Sequence, residues 1–117
     1  MVNLVFGGAG FIGSNLVKKL LDKNEDVLIF DDMSLGSKTN VDFVSDDNII
    51  EGDINTEEDM RHLSSVVEQC VPEKVKVWHL AANSDIVSGV EDSDVDFYKT
   101  FLTTKNILSF MKRHALK

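Results

Sequence analysis

The feature that most limits what this chain can become is a glycine-dense bend, GGAGFIGS at residues 7–14, set between two apolar runs. Ahead of it, VNLVF (2–6) is short, β-branched and aromatic, which suits a buried strand. Behind it, Ile12, Leu16 and Leu20 recur every four residues with Val17 and Leu21 beside them. That spacing reads as the apolar face of a helix ending near Leu21. Within the bend, GAGFIG (8–13) has the spacing G-x-G-x-x-G between a strand and a helix, and each glycine has a physical task. Gly8 allows the tight turn, Gly10 lets a diphosphate approach bare backbone, and Gly13 lets the helix pack close to the sheet. Free N–H groups at the helix start, reinforced by the helix dipole, then suit an anion.

The remaining pattern repeats the alternation. DVLIFD (26–31) reads as a second strand, DMSLGSKTN (32–40) as a loop, and NIIEGD (48–53) as a third strand. Asn55 and Thr56 cap a helix that opens with Glu57, Glu58 and Asp59. It carries Met60, Leu63, Val67 and Cys70 on one face and stops at Pro72. KVKVWHL (74–80) is a fourth strand, followed by a loop from Ala81 to about Glu91. A last helix is expected from near Ser93, with Phe97, Phe101, Leu108 and Met111 as its apolar face and Lys112, Arg113 and His114 closing it. Strands alternating with helices predict an α/β domain with a parallel sheet, and right-handed crossovers predict the strand order 3-2-1-4 with helices on both faces.

Bulk properties narrow the partners. The 117 residues fit one domain, and a formal net charge of −8 argues against nucleic acid. No apolar run approaches the ~20 residues of a spanning helix, so no membrane partner is expected. The start lacks a basic segment ahead of its apolar run, and a cytoplasmic location follows as the expectation. Cys70, the single cysteine, reads as an inert thiol at helical spacing. The negative charge also sets a requirement: an anionic ligand here needs fixed local dipoles that outweigh the global field.

Other residues point the same way. Asp31 ends the second strand, where a carboxylate accepts hydrogen bonds from adenosine ribose hydroxyls and repels a 2′-phosphate, favouring NAD over NADP. Asp53 is placed to meet an adenine amino group with Ile54 against the ring; it reads also as a turn aspartate beside a helix cap. Ala81 and Ala82 are small enough to leave room beside the middle of a cofactor. His79, at a strand end, reads as structural. The acidic runs at 46–47, 57–59 and 91–96 fall largely at helix starts, where acids suit the dipole, and no metal site is expected.

In their order and spacing, GGAGFIGS, DDMSLGSKTNV, EGDI and HLAANSD resemble the extended short-chain dehydrogenase/reductase family, and within it the NAD-dependent nucleotide-sugar epimerases and dehydratases, UDP-glucose 4-epimerase being the best-known type. The resemblance runs the length of the chain and implies a Rossmann-like fold. By position it implies that Gly7, Gly10 and Gly13 match the family's T-G-x-x-G-x-x-G. It implies that the amides of Phe11 and Ile12 lie on the pyrophosphate, and that Asp31, Asp32, Ser34 and Gly36 surround the adenosine ribose. Asp53 and Ile54 then match the adenine pair, and Leu80, Ala81, Ala82 and Ser84 line the cofactor toward the nicotinamide. The chain departs from the pattern at Phe6, Asp32, Thr100 and Thr103, where the family often has threonine, asparagine, asparagine and glycine.

The family implied by this resemblance acts by transient hydride transfer between a nucleotide sugar and NAD, with a Tyr-x-x-x-Lys pair on one helix. Tyr98, the single tyrosine, is followed four residues later by Leu102, so the chain holds no catalytic pair. In the family the pair follows a fifth strand. The expectation is therefore an N-terminal part of a longer enzyme, a Rossmann domain over 1–117 truncated before strand five, which binds NAD without turnover. A non-catalytic NAD(P)-binding sensor is the alternative, and a reductase or decarboxylase activity on the same scaffold stays open. The fourth strand would be a sheet edge bearing VKVWHL, and pairing of two copies into a homodimer through it is expected.

Overall fold

The computed structural model describes residues 1–82 and 85–117. Four parallel strands, β1 (Val2–Phe6), β2 (Asp26–Asp31), β3 (Ile49–Glu51) and β4 (Val75–His79), form one sheet in the order β3-β2-β1-β4. This is the Rossmann-like arrangement expected. β1 is central, with Val5 opposite Ile29 on one side and Trp78 on the other. The expected third and fourth strands are trimmed at both ends.

Period-two alternation sorts the strand side chains onto two faces. Leu4, Phe6, Leu28, Phe30 and Ile50 face the helices α2 (Glu57–Val67) and α5 (Thr103–Arg113), meeting Leu63, Val67, Ile107 and Phe110. Val5, Val27 and Ile29 face α1 (Phe11–Asp22), meeting Val17 and Leu20, with Val41 and Val44 from the long β2–β3 connection closing that side. Phe6 explains its own departure from threonine. It is fully buried and packs edge-on against Phe30 at 5.7 Å and Phe110 at 6.1 Å. Asn3, also fully buried, accepts from the Trp78 indole N–H at 2.9 Å and donates to Glu25 at 2.7 Å, so its polar atoms are satisfied across β1, β4 and the turn before β2.

Three expectations are corrected. The segment expected as a loop contains a short helix, α3 (Ile86–Glu91), because Asp85 caps it by accepting from the Ser88 N–H at 3.2 Å and the Ser88 hydroxyl at 2.6 Å. The last helix is interrupted: α4 (Ser93–Asp96) runs into a π-helical turn (Phe97–Leu102) and then α5. Its buried face is Thr103, Ile107 and Phe110, while Phe97, Phe101 and Leu108 are exposed and only Met111 of the expected stripe packs against the core. Finally, Ile12 is not on the core face of α1; it is 69% exposed, and the face is carried by Gly13, Ser14, Val17 and Leu20.

Candidate functional site

The carboxyl ends of all four strands point the same way, and the chain leaves them at Gly7, Asp32, Gly52 and Leu80. The ladder continues one step past β1, with the Gly7 N–H donating to Phe30 O and the Leu80 N–H to Phe6 O, both at 2.9 Å. Between β1 and β4 the strand order reverses. In an open α/β sheet that switch point is where ligands sit.

A cleft of about 610 Å³ opens there. Gly7, Gly10, Phe11, Ile12 and Gly13 line one wall, and Asp31, Asp32, Ser34 and Gly36 another. Asp53 and Ile54 come from the β3 end, and Leu80, Ala81 and Ala82 from the β4 end. Of the residues singled out by sequence, only Ser84 lies outside the described residues.

The glycines divide the work differently from the sequence reading. The left-handed residue is Gly7, at φ 81°, not Gly8. A Cβ on Gly8 would instead press on the Ile29 side chain at 2.9 Å. A Cβ on Gly13 would strike the Gly7 carbonyl oxygen and lie 2.8 Å from the Gly8 Cα, so α1 and the bend can approach only because that side chain is missing. Gly10 is the opposite case: the nearest atom to its added Cβ is 3.5 Å away, and the space beyond belongs to the cleft.

Gly10 also starts α1, and no side chain caps it; no acidic residue occupies the first turn. That contrasts with α2, whose first turn holds Glu57, Glu58 and Asp59. An uncapped, acid-free helix start beside a side-chain-free bend has the geometry that suits an anion, a cradle in outline.

Asp31 holds the cradle in shape. It is 8% exposed, and its two carboxylate oxygens accept from the Ala9 N–H at 2.9 Å and the Met33 N–H at 2.8 Å. The Ala9 carbonyl in turn accepts from the Ser37 N–H at 3.1 Å and from Asn40 Nδ2 at 2.9 Å. The peptide groups flanking Ala9 are thus tied to the β2–β3 connection from both sides. Each Asp31 oxygen keeps a lone pair for a further donor. Asp32 accepts from the Ser34 N–H and hydroxyl at 2.9 and 2.7 Å. Asp53 makes the turn contact foreseen as its second reading, accepting from the Asn55 N–H at 2.8 Å, and still lines the cleft.

Several lining residues are not among those the sequence assigns to the site: Phe30, Leu35, Gly52, Asn55, Tyr98, Lys99 and Thr103. The side-chain capping expected of Asn55 and Thr56 is not made, since α2 starts at Thr56 with no side-chain cap, and the Asn55 amide is turned to other partners. It donates to the Tyr98 carbonyl at 2.8 Å and accepts from Asn106 at 2.9 Å, bracing the π turn against the β3 end. Thr103, one of the departures from the family pattern, donates to the same Tyr98 carbonyl at 3.0 Å. His79 faces the α5 layer, with Nε2 2.8 Å from the Thr104 hydroxyl. That hydroxyl gives its hydrogen to Thr100 O at 2.8 Å, so the imidazole donates. Partial burial lowers the His79 pKa below 6.5. His79 does not line the cleft, in keeping with a structural role.

Fold and site together define the class, a Rossmann-like α/β domain with its cleft at the carboxyl end of the sheet. The family model described as GDP-mannose 4,6 dehydratase matches residues 4–117. The chain belongs to that family. It is 33% identical over 115 residues to UDP-glucose 4-epimerase of Corynebacterium glutamicum, covering 97% of this chain and 32% of the relative. It is 30% identical over 118 residues to dTDP-glucose 4,6-dehydratase of Mycobacterium tuberculosis, covering 97% and 34%. The UDP-glucose 4-epimerase of Thermus thermophilus, solved in complex with NAD, superposes with a TM-score of 0.85 at 28% identity, covering 100% of this chain and 35% of that one. The chain thus spans about a third of the length of the relatives it matches.

Proposed function

We propose that this chain is the NAD-binding part of a nucleotide-sugar epimerase or dehydratase. The observation that carries the reading is the bare start of α1: a helix with no side-chain cap and no acid, opening onto a cleft at the switch point beside a glycine whose missing Cβ leaves the way clear. Gly7, Gly10, Phe11, Ile12 and Gly13 would hold the diphosphate. Asp31, Asp32, Ser34 and Gly36 would take the adenosine ribose, Asp53 and Ile54 the adenine, and Leu80, Ala81, Ala82 and Ser84 the nicotinamide side. NAD, when bound, supplies the acceptor and donor for a hydride. The chain's own residues bind and orient it, and none in 1–117 forms the Tyr-x-x-x-Lys pair, so binding without turnover is the expected behaviour of this chain. The same reading carries a nucleotide sugar as the whole protein's substrate and the joining of two copies along the open β4 edge.

Calorimetric titration with NAD and with NADP tests the proposal. Saturable binding of NAD, with NADP much weaker, is expected. Preference for NADP would overturn the role given to Asp31, and no binding of either would overturn the reading itself.

A further inference from the structure

A dinucleotide brings two negative charges into a cleft that already holds three carboxylates, Asp31, Asp32 and Asp53, on a chain of net charge −8. The amides at the start of α1 supply partial positive charge, equivalent to about half an elementary charge. Among the described residues one cationic residue lines the same cleft, Lys99.

Lys99 lies in the π-helical turn, a geometry that occurs often at functional sites. Thr103, four residues on and therefore on the same face, lines the cleft as well. The turn is braced from outside the helix by Asn55 and from within it by Thr103. Asn55 donates to the Tyr98 carbonyl at 2.8 Å, and the Thr103 hydroxyl donates to the same atom at 3.0 Å. Lys99 thus extends from a backbone segment fixed on two sides.

Among the described residues Lys99 forms no ion pair; the pair present there is Arg61 with Glu57. Its field reaches Asp85, where it is the smallest influence, after the Ser88 hydrogen bonds.

We propose that Lys99 is a cofactor-binding residue that supplies the cleft's full positive charge to the diphosphate of the bound dinucleotide, opposite the amides of the glycine bend. This rests on the reading of the cleft as an NAD site. Three carboxylates and a dianion then meet one ammonium and one helix start, and removing the ammonium should weaken binding in a way that salt can mask.

The experiment is calorimetric titration of NAD into the wild-type chain, Lys99→Met, Lys99→Arg and Lys105→Met, at low and high salt, with melting temperatures recorded for each. Lys105 lies on α5 and does not line the cleft, so its loss changes net charge equally without touching the site. Lys99→Met should bind about tenfold more weakly at low salt, the size of one charge-assisted contact, with the gap narrowing at high salt. Lys99→Arg and Lys105→Met should bind like wild type. Unchanged affinity in Lys99→Met would overturn the inference while leaving the NAD reading standing. So would an equal loss at both salt levels, since that marks a structural role. A wild-type chain that binds no NAD would overturn the underlying reading instead.

Discussion

At the scale of single residues, the bend separates two kinds of glycine, and substitution should expose the difference. Gly10 has φ −77° and ψ 179°, open to any residue, and its Cβ meets nothing closer than 3.5 Å. Gly10→Val should therefore melt like wild type and lose NAD affinity, as branched carbon enters the cleft. Gly13→Ala should instead destabilise the fold itself: its methyl collides with the Gly7 carbonyl, at a cost of about 1–3 kcal/mol in chemical denaturation. Asp31 makes a further case. Asparagine there turns one acceptor into a donor facing either the Ala9 or the Met33 N–H. Asp31→Asn should lose roughly 1–3 kcal/mol of stability with no ligand present. Unchanged denaturation with lost NAD binding would mean that the carboxylate serves the ligand alone. The glycines and Asp31 are legible in the sequence because their task is local: a turn, a close approach, a strand end. Asn40 and Asn55 are not, because each acts on a peptide group 31 or 43 positions away, and nothing in a linear pattern marks that pairing.

Among the elements, the strands are plain in the sequence and the last helix is not, for one reason. An apolar run flanked by turns has few ways to be buried, so β1, β2 and β4 follow from composition. The last helix offers two apolar stripes. Phe97, Phe101 and Leu108 share one, and Ile107 and Phe110 share the other with Thr103. Which one faces inward is decided by the sheet, where Phe6 receives Phe110, and the π turn changes the helical phase between residues 97 and 103. The junction of β4 with this helix has a pH signature. Burial lowers the His79 pKa in the fold, so the unfolded chain binds the proton more readily. Stability should therefore be full above about 6.5, the unfolded value, fall as pH drops below it, and level off under the lowered folded value. Melting temperatures between neutral and mildly acidic pH should show this decline, and His79→Gln should flatten it. A slope identical in the variant would assign the effect to another group.

For the whole molecule, the sheet ends on one side at three-residue β3 and on the other at β4, where the Val77 N–H donates to Lys117 O at 3.3 Å and no further strand pairs among the described residues. Such an edge favours strand addition, and light scattering across a concentration series should show mass rising toward that of two chains. A single-chain mass throughout would remove the pairing from the proposal. No helix of the described residues is long and apolar enough to cross a membrane. The overall alternation of strand and helix is the most legible level of all, since the order β3-β2-β1-β4 follows from handedness once the elements are counted. One last consequence comes from the doubly tied Ala9. Its amide and carbonyl are both occupied before any guest arrives. The receptor is therefore set in advance, capture should follow a single exponential without a slow rearranging phase, and deuterium should enter that amide as sluggishly in the empty protein as in the loaded one.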